Sequence, residues 1–463
     1  MNERKKLRSQ WRAGLVFVSL WVTSCADPAT AVRTDGGEFT DAAPAFSPPD
    51  SGPLDAPPPP LPPPGPLPIF TPATPVPPKV PDEIVRINTT IDCDQQVAAQ
   101  IADGDHFATL QGALTSAASG DTVQVCPGQH KGGFLLTRGI TLESFSRDAD
   151  DTILDGEKKQ LVLTVAIEKG MAPLRLHNLT LRNGQGHQPP SITGDITGGA
   201  LLVSSAAPVE IAGCVFEKNG SRGGGGAIIL LRSPATTIAK TVFRANESGY
   251  GGGALSIVFK GAERLVIIDS LFENNNAGYS GGALDVSHYD VNPGPPSITI
   301  TRTSFLANTS GYEGGAISVG GGALAYGGKD SQLPMTIEDC RFVGNRAKHS
   351  GGAIQTGSSV QTPLVIRNTL ADNNFAGVSG SAYAIEENFS SWGEKVAILI
   401  SGGQITRNGA DGGAAAIDLT APAVMKLIDV DLGEGASENP GGDVRLCPGR
   451  YGAHTSLTYP LCI

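Results

Sequence analysis

Gly281-Gly282-Ala283-Leu284-Asp285-Val286, then Ser297-Ile298-Thr299-Ile300, then Phe305-Leu306-Ala307-Asn308 is the stretch that decides the fold, because it recurs. The Gly-Gly-Ala part returns with its alanine at Ala200, Ala227, Ala254, Ala283, Ala316 and Ala353, and weaker copies place Ala382 and Ala414. The Phe-x-x-Asn part begins at Phe216, Phe243, Phe272, Phe305 and Phe342 and degrades to Leu370 and Ile405. Spacings of 27 to 37 residues mark a repeat with variable insertions.

Residues one and three after each alanine are mostly aliphatic, such as Leu255 and Ile257 or Leu284 and Val286. Residues two after it vary: Ile229, Ser256, Asp285, Ser318, Gln355. That period of two predicts a strand with one buried face. A second aliphatic column lies five before each Phe (Ile211, Ile238, Ile267, Ile300, Ile337, Val365, Ile400), and a small residue lies two before it (Cys214, Thr241, Ser270, Thr303, Cys340). Five and two differ in parity, so a bend must separate these segments, and each repeat supplies three short strands. The glycine pairs permit positive φ at sharp corners. The Asn suits a left-handed turn.

One unit cannot bury its own apolar face, whereas stacked units can. The expectation is all-β, a right-handed parallel β-helix: a solenoid of three parallel sheets with a short N-terminal capping helix. A β-propeller needs four strands per blade, and repeats of this length leave little room for them.

The alternation of Phe-x-x-Asn with Gly-Gly-Ala-[Ile/Leu] over about residues 175 to 420 resembles the repeat of the polymorphic outer membrane protein (Pmp) family. Its passenger domains are right-handed parallel β-helices, from which the handedness is taken. The resemblance implies surface exposure and adhesion and no catalytic residue. Unlike that family's long autotransporters, the chain leaves no room before residue 463 for a membrane barrel. The segment from Phe107 to Gly128 resembles the entry of pectin-lyase-like β-helices.

Residues 1–25 read as a lipoprotein signal peptide: Arg4, Lys5, Lys6, Arg8 and Arg12, then a short apolar run, then Val22-Thr23-Ser24-Cys25, which resembles a lipobox with Cys25 as the lipidated residue. Cleavage after Ala26 is the competing reading. Residues 26–82 form a Pro-rich disordered linker, with PPPPLPPPG at 57–65. It favours polyproline II, and roughly 40 such residues reach on the order of 100 Å, a stalk. Residues 83–175 hold the N-terminal cap and first coils, where Phe107, Leu110, Ala113, Leu114 and Ala117 fall at helical spacing. Residues 176–463 hold the repeats and a C-terminal cap around Val444 to Cys447.

With Cys25 lipidated, six cysteines remain, and 15 pairings are formally open. Proximity in sequence within the two caps predicts Cys93 with Cys126 and Cys447 with Cys462 as disulfides of an exported protein. Cys214 and Cys340 share an inward column four repeats apart, on the order of 19 Å, too far to bond.

The chain carries 34 basic and 45 acidic residues, a net charge of −11. Removing residues 1–24, five basic and one acidic, takes it to −15, so nucleic acid is excluded as a partner. No metal-ligand spacing, nucleophile elbow or phosphate loop occurs. Asp150-Asp151 and Gly186-His187 read as chance fragments of polygalacturonase motifs. The best acidic sets are Asp285, His288 and Asp290, and Glu386, Glu387 and Glu394 beside Trp392. Each follows a strand; calcium enters only if they belong to a polysaccharide lyase or hydrolase. Insertions at roughly 287–297, 320–334 and 386–395 follow the same strand, so they should wall one side of the solenoid. The expected ligand face is therefore outward-pointing Ser256, Asp285, His288, Asp290, Ser318 and Gln355, for a protein or glycan. The functional expectation is a lipoprotein of the outer membrane, cell surface or periplasmic face, anchored by its lipid. It would act in adhesion or interaction, with a carbohydrate-active or glycan-binding protein as the alternative.

Overall fold

The computed structural model describes Cys93, residues 99–101, 106–107 and 109–186 and, with gaps between successive rungs, 198–446 and 456–458. The signal segment, Cys25, the linker and the Cys447–Cys462 pair lie outside these residues.

One rung shows how the repeat folds. The strand Leu284–His288 pairs in parallel with Leu255–Phe259 below and Ile317–Val319 above. Ser297–Thr301 pairs with Arg264–Ile268 and Met335–Glu338. Ser304–Leu306 pairs with Leu271–Glu273 and Arg341–Val343. The two-residue strand Thr309–Ser310 closes the turn between Asn276–Ala277 and Arg346–Ala347. Repeated along the chain, these pairings build three parallel sheets, and the molecule is a right-handed parallel β-helix. Right-handed crossover between parallel strands is also the general preference of twisted sheets. The second and third strands of each turn count as one sheet because Leu364–Asp372 and Val396–Thr406 run through the bend without a break.

The bend predicted by parity is made at one residue per rung. Gly213, Lys240, Asp269, Arg302, Asp339, Asn368 and Gly402 there take φ between 46° and 64°. The small residue that follows holds the bend. Thr241, Ser270 and Thr303 donate their hydroxyls to the carbonyl two residues back, at 2.9 to 3.0 Å. Ser270 and Thr303 also accept a backbone N–H from the rung before, at 3.2 and 3.4 Å. Cys214 and Cys340 occupy the same column, buried and in no disulfide; each thiol donates to the carbonyl two residues back, and burial pushes both up to about 12.

The two glycines of each corner do different work. Gly281 sits at φ 61°, which L side chains rarely adopt. Gly282 has ordinary φ, but a Cβ there would lie 2.1 Å from the Gly315 carbonyl oxygen of the next rung.

The Asn ladder corrects the expectation of a left-handed Asn. Positive φ falls on the residue before it: Lys218, Ala245, Asn274, Ala307, Gly344, Asn373 and Arg407. The Asn side chains instead form a continuous buried column, Asn219, Asn246, Asn275, Asn308, Asn345, Asn374, Asn408 and Asn439, each 0–1 % exposed. Asn308 donates to the Phe272 carbonyl at 3.0 Å and to Asn345 Oδ1 at 3.0 Å, and its own Oδ1 accepts the Asn275 side chain and backbone N–H. A buried amide is tolerated only when satisfied in this way.

Register corrects three further assignments. The Phe column continues at Ala371, not Leu370, because Phe342 pairs with Ala371 and Asn345 bonds Asn374. The aliphatic column accordingly runs through Ile366, not Val365. The last Gly-Gly-Ala copy is completed by Ala416, not Ala414, since Tyr383 pairs with Ile417. A shift of one residue reverses which face a strand buries; Leu370, bulkier than Ala371, misled the reading, and Val365 followed from it by the same five-residue offset.

At the N-terminal end, the helix Leu110–Ser116 buries Leu110, Ala113 and Leu114 and is capped by Thr109. Gln111 ties it to the first coil by exchanging two hydrogen bonds with the Leu135 backbone, and Arg138 bonds the Thr115 and Ala117 carbonyls. Phe107, expected in this helix, lies in the short strand His106–Phe107. Ala99–Ile101 lies antiparallel against Thr122–Val125, which closes the first sheet edge. The disulfide Cys93–Cys126, Cα atoms 5.5 Å apart, fastens this cap.

Candidate functional site

The expected ligand face is closed. Ser256, Asp285, Ser318 and Gln355 do point away from the Phe-lined core, yet they are only 6, 3, 0 and 0 % exposed. The glycine corner folds back over them. Gly251, Ser280, Glu313, Ser350 and Ser379 form a column of single bridges along that corner. Ser280 donates to Asp285 Oδ1 at 2.8 Å, and Ser318 donates to Gln355 Oε1 at 3.1 Å. A Cβ on Gly251 would lie 2.8 Å from Asp285 Oδ2, so the carboxylate leans over the rung below into space that only glycine leaves. Period-two patterning tells which side of a strand a residue takes. It carries no information about a corner that returns to cover that side, and this is why a buried seam was read as a surface.

Asp285 is therefore an acid in an enclosed setting. Burial pushes its carboxyl up to about 7, against the lowering effect of hydrogen bonds from Ser280 and Ser287. A carboxyl so enclosed suits a structural hydrogen-bonding role. His288 and Glu386 end their strands, Leu284–His288 and Tyr383–Glu386. Asp290, Glu387, Trp392, Glu394 and nearly all of the three insertions lie outside the described residues; among the described residues no acidic set is assembled with Asp285. Among the described residues, no three His, Cys, Asp or Glu side chains are grouped to hold a metal. Asp151, part of the Asp-Asp pair, is occupied in its turn by Ser146 and Thr152, both at 2.7 Å.

Four ion pairs cross rungs: Arg182 with Asp155 at 2.8 Å, Arg244 with Glu217 at 2.9 Å, Arg302 with Asp269 at 2.7 Å, and Arg407 with Asp372, the Asp155 and Asp372 carboxylates being buried. Depressions on the first coils are lined by Arg138, Glu168 and Ser204, and by Lys159, Gln160 and Gln185. Neither brings two carboxylates together.

One functional candidate escaped the sequence reading. Tyr250, Tyr279, Tyr312 and His349 stack face to face on the outer corner. Their ring centroids are 5.3, 5.0 and 4.6 Å apart and interplanar angles run from 5° to 23°. Backbone bonds of 2.7 to 2.8 Å from each residue to the one below lock them to the rungs. The rings are half-buried. Burial first, and then the charge of Glu313, holds the Tyr279 phenol above the ordinary tyrosine value. The signal was present in the sequence: each ring lies four residues after a ladder Asn.

Comparison with protein-family models, curated proteins and solved structures finds no match to this chain.

Proposed function

We propose that this chain is an exported, lipid-anchored protein of the cell envelope or surface that displays its β-helix on the proline-rich stalk. In this reading it works by adhesion or interaction, and catalysis has no part. The observation that carries the reading is the contrast between Asp285 and the corner rings. The best-placed carboxyl is closed into a seam, 3 % exposed, while a rigid, periodic aromatic row meets solvent. Solenoids present long surfaces of this kind for binding. The alternating repeat further supports kinship with Pmp passenger domains, and the lipobox-like Val22–Cys25 with the 26–82 stalk supports display at a membrane.

Three assays test this. Cells carrying the full chain should attach to a surface or partner that cells carrying only residues 1–82 do not hold. A labelled fatty acid should enter the full chain, and Cys25→Ser should abolish its incorporation. The full chain, incubated with a polysaccharide panel with and without calcium, should leave every polymer uncut. Cleavage of any polymer would overturn the non-catalytic reading.

A further inference from the structure

We infer that the outer sheet face bearing Thr237, Val266, Thr299, Thr336, Val365 and Leu399 is a homodimer interface, on which a second copy of this chain docks antiparallel. The inference rests on the interaction reading above and names its partner. Three observations lead to it.

The first is composition. Strand pairing sets these six side chains in one outward column, and each is partly exposed. No charge interrupts the column between Glu210 at one end and Lys426 at the other. On the following strand of the same sheet, the outward column carries Arg182, Glu217, Arg244 and Glu273 in successive rungs. That is how a solvated face reads. The preference of strands for β-branched residues acts on both columns alike, so it does not explain the difference. A contiguous uncharged strip on a sheet face marks a contact surface.

The second is charge. Beside the strip, Glu338 and Arg367 hold paired positions on adjacent strands and are partly exposed. Among the described residues, neither the carboxylate nor the guanidinium forms an ion pair, whereas Arg244 and Arg302 each take a carboxylate from the rung before. A two-fold axis parallel to the strands, midway between these two rungs, sets Glu338 opposite the partner's Arg367 and Arg367 opposite the partner's Glu338. The same axis sets Thr336 against the partner's Val365 and Thr299 against the partner's Leu399. The face is complementary to itself, as an isologous contact requires. An axis along the solenoid would oppose equal rungs and leave both charges unmatched.

The third is size. Six rungs and three outward columns cover on the order of 600 Å² on each copy. The total lies at the lower limit of specific interfaces, which fits a weak, reversible dimer. Antiparallel pairing places the two disulfide-fastened caps at opposite ends of the dimer, an arrangement that suits chains rising from two facing surfaces.

The test is sedimentation equilibrium of the full chain in density-matched detergent. It should show monomer and dimer exchanging with a dissociation constant on the order of micromolar. Thr336→Arg should weaken association about tenfold or more, because it brings an unpaired charge to the centre of the contact. Glu338→Arg and Arg367→Glu should each do the same by opposing like charges. Mixing these two single variants should restore association to within about threefold of the parent, and so should combining both substitutions in one chain. Restoration also shows that each variant is folded. A chain still monomeric at about 100 µM would overturn the interface, as would association unchanged in Thr336→Arg or a charge exchange that restores nothing. Those outcomes leave attachment to a different partner standing. Cells that fail to attach while the chain still dimerises defeat the adhesion reading and leave the interface.

Discussion

Two aromatic columns climb the same rungs of this solenoid. Phe216, Phe243, Phe272, Phe305 and Phe342 stack inside at 4.5 to 5.0 Å. Tyr250, Tyr279, Tyr312 and His349 stack outside at 4.6 to 5.3 Å. The ring geometry is nearly the same and the surroundings are opposite. Inside, each ring loses all contact with water and fills a volume that no neighbour can fill. Outside, each ring is only partly buried, so stacking there adds less to stability. One rung spacing thus serves cohesion on one side and presentation on the other.

Substitution separates the columns most sharply. Phe272→Ala should cost about 3–5 kcal/mol in chemical denaturation, because stacked rings above and below cannot collapse into the cavity. A loss below about 1 kcal/mol would show the interior column to be loosely packed.

Asn308→Ala should cost about 2–3 kcal/mol, since it removes two donated bonds and orphans the Asn275 backbone N–H inside the core. Amide exchange should speed at Asn275 first; protection there equal to the parent would break the account of the ladder.

The closed seam titrates. The folded Asp285 carboxyl keeps its proton up to about 7, whereas the unfolded chain releases it near the ordinary aspartate value of 3.8. Between these values the folded state binds more protons, so this residue's contribution falls as pH rises and levels above about 7. Asp285→Asn should remove that decline, on the order of a few kcal/mol in the difference between acid and alkaline denaturation midpoints. Parallel pH profiles for parent and variant would show the carboxyl to be hydrated.

Tyr383 marks an internal defect, a buried ring whose hydroxyl has no hydrogen-bond partner among the described residues. Tyr383→Phe should stabilise by about 1 kcal/mol in a thermal melt. Destabilisation would reveal a bound water. The smallest effect belongs to the outer column, where Tyr279→Ala should shift denaturation by less than about 1 kcal/mol. A cost as large as that of Phe272→Ala would make the outer ladder a structural element and erase the contrast.

Parts of this architecture were legible residue by residue. Leu255 with Ile257, and Leu284 with Val286, mark inward faces because a strand alternates strictly. The pairing of Cys93 with Cys126 followed from their nearness within the cap, and the helix at Leu110 from apolar residues at helical spacing. Errors arose where a local pattern was ambiguous by one residue, at Leu370 against Ala371, or where size was noticed and chemistry was not. The column of Cys214, Thr241 and Ser270 was read as small, although its hydroxyls and thiols hold the bend. The seam around Asp285 was misread because its cover comes from the preceding corner folding back.

The sequence alone determined the solenoid, its rung count in the middle of the chain, the inward columns and the parity bend, since these depend on periodicity within a rung. Only the tertiary structure decided what lies between rungs and across corners. The amide chain through Asn308 and the stacking of Tyr250 on Tyr279 join residues 27 to 37 positions apart, and the closure over Asp285 combines Ser280 of its own rung with the close approach of Gly251 from the rung below. Those contacts exist because the 4.7–4.9 Å spacing of paired strands superimposes equivalent side chains, a relation that no single rung contains.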